Sequence, residues 1–331
     1  MDEIRIFKEA VNNPAGYAQA LKDRGGMKIF GYFCSYTPEE IIHAAGIHPM
    51  RLFGTRGNLS HADAHLQAYS CSLVRGALED ALSGGLSFLD GAVFPHTCDS
   101  IQRLSDIWRL NSSFSYHADV VLPVKLDTPS ARQYMVDVLR KFRRELEAHL
   151  GAPIGDDALK ASTALYNNLR DGLRKLYRLQ SERPGLINGA DLNAVVKGSM
   201  IMKREDALAA VNSLVKKLES SGETGPMANK KRLLLVGGIC DHPEIYSLIE
   251  KSGGVVVWDD LCTGSRYFEG AIAETGDPME AIAARYSDRT VCPAKHSSLT
   301  GRGETLVNMA REHRAVGAIF LYLKFCDPHS F

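Results

Sequence analysis

The stretch FLDGAVFPHTC (residues 88–98) decides the predicted fold, because a short apolar run there ends in polar residues and a cysteine. An apolar run without polar alternation is typical of a strand buried in a parallel sheet. The segment SLVRGALEDALSG (residues 72–84) just before it has its apolar residues at helical spacing. Three similar strand-like runs lie nearby: MKIFGYFCSY (27–36), HPMRLFG (48–54) and VVLPVKL (120–126). Strands that alternate with helices predict a parallel sheet with crossover helices.

A second region of the same kind follows a long helical stretch. From about residue 130 to 219 the pattern is almost wholly helical, and SSGETGPMANKK (220–231) has the composition of a linker. Strand patterns then return in RLLLVGGIC (232–240), GVVVWDD (254–260) and AIFLYLKFC (318–326), separated by helical segments. We therefore predict an α/β fold with two Rossmann-like or flavodoxin-like parallel-sheet domains, 1–129 and 222–331, and a helical middle segment, 130–221.

Composition restricts the class of protein. The chain has 331 residues, 45% of them hydrophobic, and its 39 Lys and Arg residues equal its 39 Asp and Glu residues. This balance lacks the basic excess that binds nucleic acid or anionic membranes. No apolar run approaches the roughly 18–20 residues of a membrane span, and the N-terminus does not resemble a signal peptide. Seven scattered cysteines, an odd number, favour a reducing compartment, so we expect a cytoplasmic protein.

Three cysteines in different settings are the best candidates for chemistry. Cys71 opens a predicted helix, where the helix dipole stabilises a thiolate. Cys98 and Cys326 each follow a predicted strand, where open α/β sheets place their ligands. No CxxC pair joins the three, which argues against a zinc ribbon or a thioredoxin-type motif. Distant thiolates that converge suit an iron–sulfur cluster, and three ligands rather than four would leave one iron open to substrate.

The alternative for each cysteine is an ordinary buried thiol, since free cysteine is among the most buried residue types. Cys34 follows the first strand and is a candidate fourth ligand or pocket-wall residue. The other three cysteines are interpreted as packing or pocket-wall residues: Cys240, Cys262 and Cys292. Four basic residues could bind phosphates or a thioester, the alternative being solvated surface charge: Arg266, Lys295, His296 and Arg302.

Several segments together resemble the 2-hydroxyacyl-CoA dehydratase and benzoyl-CoA reductase family. They are YFCSYTPEEIIHAAGIHPMRLFG, CSLVRGALEDALSGGLSFLDGAVFPHTCDSIQRLSDIW, DDLCTGSRYF, CPAKH and LYLKFCDPHSF. The resemblance extends over nearly the whole chain. It implies a [4Fe–4S] cluster held by Cys71, Cys98 and Cys326, a CoA thioester as substrate, and a heterodimer with a homologous sister subunit. It also implies an ATP-dependent iron–sulfur activator protein that delivers one electron at very low potential.

The resemblance further implies radical chemistry on the acyl-CoA. One electron enters the thioester carbonyl to give a ketyl radical anion, after which a 2-hydroxyl group leaves; in the reductases, electrons and protons enter an aromatic ring. Ser35 and Tyr36 are then candidates for hydrogen bonds to the substrate oxygen. The local similarity around Cys71 and Cys98 is closer to the smaller cluster-bearing subunits of benzoyl-CoA reductase.

Two other functions fit the same residues. A non-catalytic electron-transfer subunit would use four protein ligands, with Cys34 as the fourth. A metal-free binding or assembly subunit would keep its cysteines as packing residues. Family members usually continue beyond the segment DPHSF with another helix, strand and helix, whereas this sequence ends at Phe331. We therefore expect this form to be less stable than an extended one.

Overall fold

The computed structural model describes residues 2–112, 114–222, 224–289 and 292–330. The strands are β1 (Ile29–Tyr32), β2 (His48–Arg51), β3 (Gly91–Pro95), β4 (Tyr116–Val120), β5 (Lys231–Gly237), β6 (Gly254–Asp260) and β7 (Gly317–Leu321). The helices up to residue 182 are α1 (Asp2–Asn12), α2 (Pro14–Gly25), α3 (Glu39–Ala44), α4 (Ser72–Leu82), α5 (Asp99–Asn111), α6 (Pro129–Leu150) and α7 (Asp156–Glu182). The later helices are α8 (Gly189–Ile201), α9 (Arg204–Ser220), α10 (Glu244–Lys251), α11 (Ser265–Phe268), α12 (Pro278–Asp288), α13 (Gly301–Glu312) and α14 (Asp327–Ser330). All strand pairs are parallel, and the predicted α/β class is confirmed.

The chain divides into two compact units, each made of three separate stretches. The cysteine unit comprises residues 13–164, 272–297 and the segment from Leu323 onward. The aspartate unit comprises the segment up to Asn12, residues 165–271 and residues 298–322. The prediction was three consecutive segments, whereas each unit combines separate stretches of the chain, and one of the boundaries between the units falls inside α7. Sequence patterns indicate where elements lie, but not which distant elements pack together.

The cysteine unit contains a four-stranded sheet with the order β2-β1-β3-β4. Phe30 on β1 is fully buried and stacks on Tyr116 of β4, with ring centroids 5.0 Å apart. On the same core, α6 packs against α12. Because the strands are parallel, the loops that follow β1 and β3 leave the same edge of the sheet, and these two loops carry Cys34 and Cys98.

Two predicted strands end earlier than their apolar patterns suggest. The run VVLPVKL was expected to be a strand, but β4 ends at Val120, and Pro123 has no amide hydrogen to donate to a ladder. The run AIFLYLKFC is a strand only as far as Leu321, which pairs with Gly237, the last residue of β5. Beyond the end of β4, Leu122 and Leu126 are still buried, which explains why that pattern appears longer than the strand. Beyond β7, Tyr322 and Phe325 are exposed, so the apolar run there continues into surface residues.

The aspartate unit contains a three-stranded sheet with the order β6-β5-β7. Its core includes Leu235, Tyr246, Ile249 and Val256, and α1 packs against α8 and α9. The pairing of β5 with β6 shifts register between Leu233 and Leu234. The carboxyl end of β6 carries two consecutive buried aspartates, Asp259 and Asp260, after which the unit is named.

Candidate metal centre

Cys98 lies at a strand-to-helix turn. It follows β3 by three residues and is the N-cap residue of α5, with an extended backbone (φ −152°, ψ 164°). The thiol is therefore near the positive end of the α5 dipole, where a thiolate is favoured. The backbone amide of Ile101, in the first turn of α5, also favours the ionised form.

Cys71 occupies the equivalent position on α4, as its N-cap residue with an extended backbone (φ −65°, ψ 156°). The chain before it has little regular structure apart from the 3₁₀ turn Ala62–Ala64. That loop touches α4 closely, because a Cβ atom added at Gly76 would lie 2.3 Å from the carbonyl oxygen of Thr55. The missing side chain at Gly76 thus lets the loop pack onto α4 and holds the start of this helix, with Cys71, in place.

Cys326 reaches the cysteine unit from a distant part of the sequence. It precedes the short helix α14, and its Sγ lies 3.3 Å from Nδ1 of His329. The preceding strand, β7, belongs to the aspartate unit, whereas the segment from Leu323 onward groups with the cysteine unit. Cys71, Cys98 and Cys326 are thus all in one unit, although the sequence suggested a site shared by two domains.

The thiols of this unit act on one another electrostatically. Burial, together with smaller contributions from negative charge on Cys71, Cys34 and Cys326, raises the pKa of the Cys98 thiol to about 12. Cys34 is partly exposed and follows β1. None of the seven cysteines forms a disulfide. The three predicted ligands and the candidate fourth ligand therefore share one electrostatic environment.

Within the described ranges, no three His, Cys, Asp or Glu side chains are close enough together to hold a metal ion. A single zinc ion would draw its sulfur ligands to within about 4.6 Å of one another, since each Zn–S bond is about 2.3 Å. In a four-iron cluster each thiolate binds a different iron, so the sulfurs stand further apart. The donor set, thiols coupled around Cys98, has the chemistry that an iron–sulfur cluster requires.

Ser35 and Tyr36 lie beside this thiol group, in the loop after β1, and both are buried. The Ser35 hydroxyl accepts a hydrogen bond of 3.4 Å from the Arg289 guanidinium. That guanidinium also lies over the Tyr36 ring, 3.8 Å from its centroid. Among the described residues, the Tyr36 hydroxyl has no hydrogen-bond partner. Burial raises the pKa of Tyr36, and Arg289 partly opposes the rise.

Lys295 and His296, predicted to bind phosphate or a thioester, have different environments in the cysteine unit. Lys295 is only 2% exposed, and its Nζ donates to the carbonyl oxygen of Leu122 at 3.3 Å. Burial lowers the pKa of Lys295, and Cys34 is the thiol that opposes this most strongly. His296 is exposed and is held through its backbone, which exchanges hydrogen bonds with Val124 and Leu126.

Arg266 and Arg302, the other two predicted binding residues, belong to the aspartate unit, where both pair with Asp260. Arg266 Nε lies 2.9 Å from Asp260 Oδ1, and Arg302 Nη2 lies 2.6 Å from Asp260 Oδ2. Arg266 is buried and also donates to the backbone carbonyls of Gly237 and Asp260. In the structure these arginines hold the carboxyl end of β6.

Sequence reasoning missed two features of the thiol environment. The first is Arg289, because only the fold brings it over the Tyr36 ring. The second is the pair of His96 and Asp119, with Nε2 and Oδ1 2.8 Å apart. Burial disfavours ionisation of Asp119, but hydrogen bonds from His117, Ser105 and His96 hold its pKa below the usual range. The position of His96, two residues before Cys98, was the available signal.

A parallel-sheet unit with cysteines at helix starts and strand ends defines the class of this protein: an α/β protein that brings several thiols into one unit. Residues 34–331 match the family described as 2-hydroxyglutaryl-CoA dehydratase, D-component, and the chain belongs to that family. The resemblance stated from the sequence is therefore confirmed.

Curated relatives come from both branches of that resemblance. The beta subunit of (R)-phenyllactyl-CoA dehydratase from Clostridium sporogenes is 28% identical over 98% of this chain and 86% of its own length. One of the subunits of benzoyl-CoA reductase from Thauera aromatica is 29% identical over 91% of this chain and 79% of its own length. The beta subunit of (R)-2-hydroxyglutaryl-CoA dehydratase from Acidaminococcus fermentans is 25% identical over 98% of this chain and 86% of its own length. Across the described residues, every helix is too short or too polar to cross a membrane.

Proposed function

We propose that this chain is the cluster-bearing subunit of an iron–sulfur enzyme that acts on acyl-CoA thioesters. The reaction is dehydration of an (R)-2-hydroxyacyl-CoA or reduction of a benzoyl-CoA-type ring. The observation that carries this proposal is the coupling of the Cys98 thiol to Cys71 and Cys326 within one unit. The names of the relatives support both reactions, since similar identities link the chain to dehydratase subunits and to a reductase subunit.

In this proposal Cys71, Cys98 and Cys326 hold a [4Fe–4S] cluster through one thiolate each. A cluster with one iron not bound by protein supplies low-potential one-electron reduction and a Lewis-acid position for a substrate oxygen. The starts of α4 and α5 favour the thiolate forms of Cys71 and Cys98 through the helix dipoles. The buried setting of Cys98 opposes ionisation until a cation is present to balance the charge.

Ser35 and Tyr36 are proposed to contact the substrate oxygen. The ordinary pKa of tyrosine, about 10, already keeps the hydroxyl protonated at neutral pH. Burial raises the pKa of Tyr36, so its hydroxyl is a donor. A buried hydroxyl without a partner costs stability, and a ligand oxygen would satisfy it. Arg289 lies over the ring and bonds to Ser35, so it would fix the orientation of both residues.

The CoA moiety and the protein partners are further parts of the proposal. His296 is exposed and Arg302 partly so, which suits contact with CoA phosphates. Lys295 and Arg266 are buried, which suits indirect roles. A homologous sister subunit is proposed because relatives are beta subunits, and an ATP-dependent iron–sulfur activator because reduction requires a low potential. The seven thiols suit a reducing cytoplasm.

Iron and acid-labile sulfide content after strictly anaerobic purification tests the proposal. We expect about four iron and four sulfide per chain, lost in Cys71→Ala, Cys98→Ala and Cys326→Ala. Cys240→Ala, which removes a buried thiol of the aspartate unit, is the matched control and should retain the metal. A wild-type chain that stays free of iron after reconstitution, alone and with the sister subunit, would contradict the proposal.

A second candidate function is a non-catalytic electron-transfer subunit with four protein ligands. It is favoured by one observation, that Cys34 acts on Cys98 alongside the other two thiols. Cys34→Ser separates the two functions: loss of the cluster supports the electron-transfer subunit, and unchanged iron content supports the enzyme.

A further inference from the structure

Lys295 is a buried lysine without an acidic partner. Its side chain is 2% exposed, and the acceptor of its ammonium group is a neutral carbonyl, that of Leu122. Among the described residues, no carboxylate oxygen lies within the 4.0 Å that defines an ion pair with its Nζ. Burial of a charged ammonium is costly unless a counter-charge compensates it. The position therefore requires a source of negative charge other than Asp or Glu.

Thiols are the groups around Lys295 that can provide that charge. Negative charge on Cys34, Cys292 and Cys98, in this order, would favour its charged form, whereas Arg289 acts against it. Cys34 and Cys292 also act on Tyr36. Lys295 and Arg289 thus add positive charge to a region where the negative charges that act most strongly on Lys295 are those of cysteines.

Both cations, Arg289 and Lys295, lie near the Tyr36 ring. The Arg289 guanidinium lies 3.8 Å from the ring centroid, and Lys295 Nζ lies 5.8 Å from it. A ring face stabilises a nearby cation, more strongly when both are shielded from water. Two buried carboxylates, Glu39 and Glu40, act on the neighbouring Tyr286, and Tyr286 donates to Thr37 O at 2.6 Å. Glu39 and Glu40 thus act on Tyr286, whereas the anionic groups that act most strongly on Lys295 are thiols. The backbone amide of Lys295 also donates to the carbonyl oxygen of Cys292 at 2.8 Å.

We propose that Lys295 is an electrostatic positioning residue that balances the negative charge of the thiolates and of the anionic group they hold. This inference rests on the proposed function for the identity of that group, which would be a cluster. It assigns a role to Lys295 that differs from phosphate binding, because a buried ammonium is not accessible to a surface phosphate. Removing the positive charge of Lys295 makes ionisation of the thiols and reduction of the bound cluster less favourable. Arginine at the same position preserves that charge.

The first test uses the iron-free chain and measures alkylation of Cys34 by iodoacetamide at fixed pH, site by site, by mass spectrometry. Cys34 is partly exposed, and the reactive species is its thiolate. We expect Lys295→Met to slow alkylation by about tenfold, because less of the thiol is ionised without the nearby positive charge, and Lys295→Arg to restore most of the rate. Lys125→Met removes a charge from a lysine that is 63% exposed and should leave the rate unchanged.

The second test uses the anaerobically reconstituted chain and measures the midpoint potential by redox titration monitored by electron paramagnetic resonance. We expect Lys295→Met to lower the equilibrium constant for reduction of the cluster about tenfold. For a one-electron couple this is a shift of the midpoint potential by about 59 mV to a more negative value. Lys295→Arg and Lys125→Met should remain close to wild type. Circular dichroism checks folding, and Lys295→Gln replaces Lys295→Met if the latter is unfolded.

The two tests separate failure of the inference from failure of the proposed function. If the chain binds no cluster but Lys295→Met slows Cys34 alkylation, the proposed function is contradicted and the role of Lys295 is supported. A chain that binds the cluster but shows wild-type alkylation and potential in Lys295→Met overturns the inference. Unfolding of both neutral variants would also overturn it, because Lys295 would then be a structural residue.

Discussion

Two buried cations, Arg266 in the aspartate unit and Lys295 in the cysteine unit, have opposite kinds of environment. Arg266 lies 2.9 Å from the carboxylate of Asp260, in a contact whose angle is too poor for a hydrogen bond but whose charges are complementary. Lys295 donates to a neutral carbonyl, and the negative charges that act on it most strongly are those of thiols. From the sequence, both residues were predicted to bind phosphates or a thioester. The structure indicates that a buried charge with its counter-ion in place supports the fold, whereas one without it is available for a bound group.

Two buried tyrosines repeat this contrast. In the aspartate unit, the Tyr177 hydroxyl donates to Asp259 Oδ2 at 2.6 Å. In the cysteine unit, the Tyr36 hydroxyl has no partner among the described residues. The Tyr177 hydroxyl is thus satisfied within the fold, whereas the Tyr36 hydroxyl is available to a ligand. Substitutions on both sides can break or sharpen this comparison.

The largest effect is expected for Asp260→Asn. This change leaves Arg266 buried without its counter-ion and removes the partner of Arg302. Breaking a buried ion pair by removing one member costs about 3–5 kcal/mol, so the free energy of unfolding in urea should fall by that amount. Asp127→Asn, in an exposed pair with Lys125 at 3.8 Å, is the control and should change stability by less than about 1 kcal/mol. Equal effects of the two variants would contradict the distinction.

The second effect is a pH dependence of stability from Asp259. Burial raises the pKa of this carboxyl from 3.8 to about 6 in the folded state. The folded chain therefore binds the proton more tightly than the unfolded chain, so this stabilisation is complete below about pH 4 and is lost as the pH rises through 6. The size is on the order of 2–3 kcal/mol. The difference in melting temperature between wild type and Asp259→Asn should become smaller as the pH falls from neutral to about 4. A difference that stays the same at every pH would contradict the prediction.

The third effect is the loss of the Tyr177 hydroxyl. Tyr177→Phe removes a hydrogen bond to a buried carboxylate, which costs about 1.5–3 kcal/mol when the carboxylate is ionised. The same bond holds the pKa of Asp259 down, so its loss should extend the pH dependence to higher pH. Urea unfolding at pH 5 and pH 8 measures both consequences. A larger destabilisation at pH 5 than at pH 8 would show that the sign is wrong.

The smallest effect on stability is expected for Tyr36→Phe. Its hydroxyl is buried without a described partner, so removing it relieves a desolvation cost and should leave the free energy of unfolding unchanged or raise it by up to about 1 kcal/mol. Activity should fall nevertheless if the hydroxyl contacts the substrate. Thermal unfolding of Tyr36→Phe and Tyr177→Phe, measured side by side, provides the direct comparison. If Tyr36→Phe loses as much stability as Tyr177→Phe, the contrast between the two tyrosines is contradicted.

Local patterns were sufficient for the elements of the fold and insufficient for their grouping. The apolar run before Cys98 and the helical pattern after Cys71 predicted a strand end and a helix start, because both depend on neighbouring residues. The placement of Cys326 in the cysteine unit depends on tertiary packing, and no local pattern shows it. The position of Arg289 over Tyr36 has the same origin, since these residues are far apart in the sequence.

The distance along the chain between Cys98 and Cys326 also sets an order of events during synthesis. The third thiol leaves the ribosome more than two hundred residues after the second, and the aspartate unit is almost completely synthesised in between. At a rate of about 5–20 residues per second, that interval lasts at least roughly ten seconds. Under the proposed function, a cluster bound by all three thiols is loaded after translation has passed Cys326, so a chain stalled earlier would carry Cys71 and Cys98 without a cluster. Under the proposed function, Cys71 and Cys98 therefore remain without a bound cluster for that interval in each round of translation.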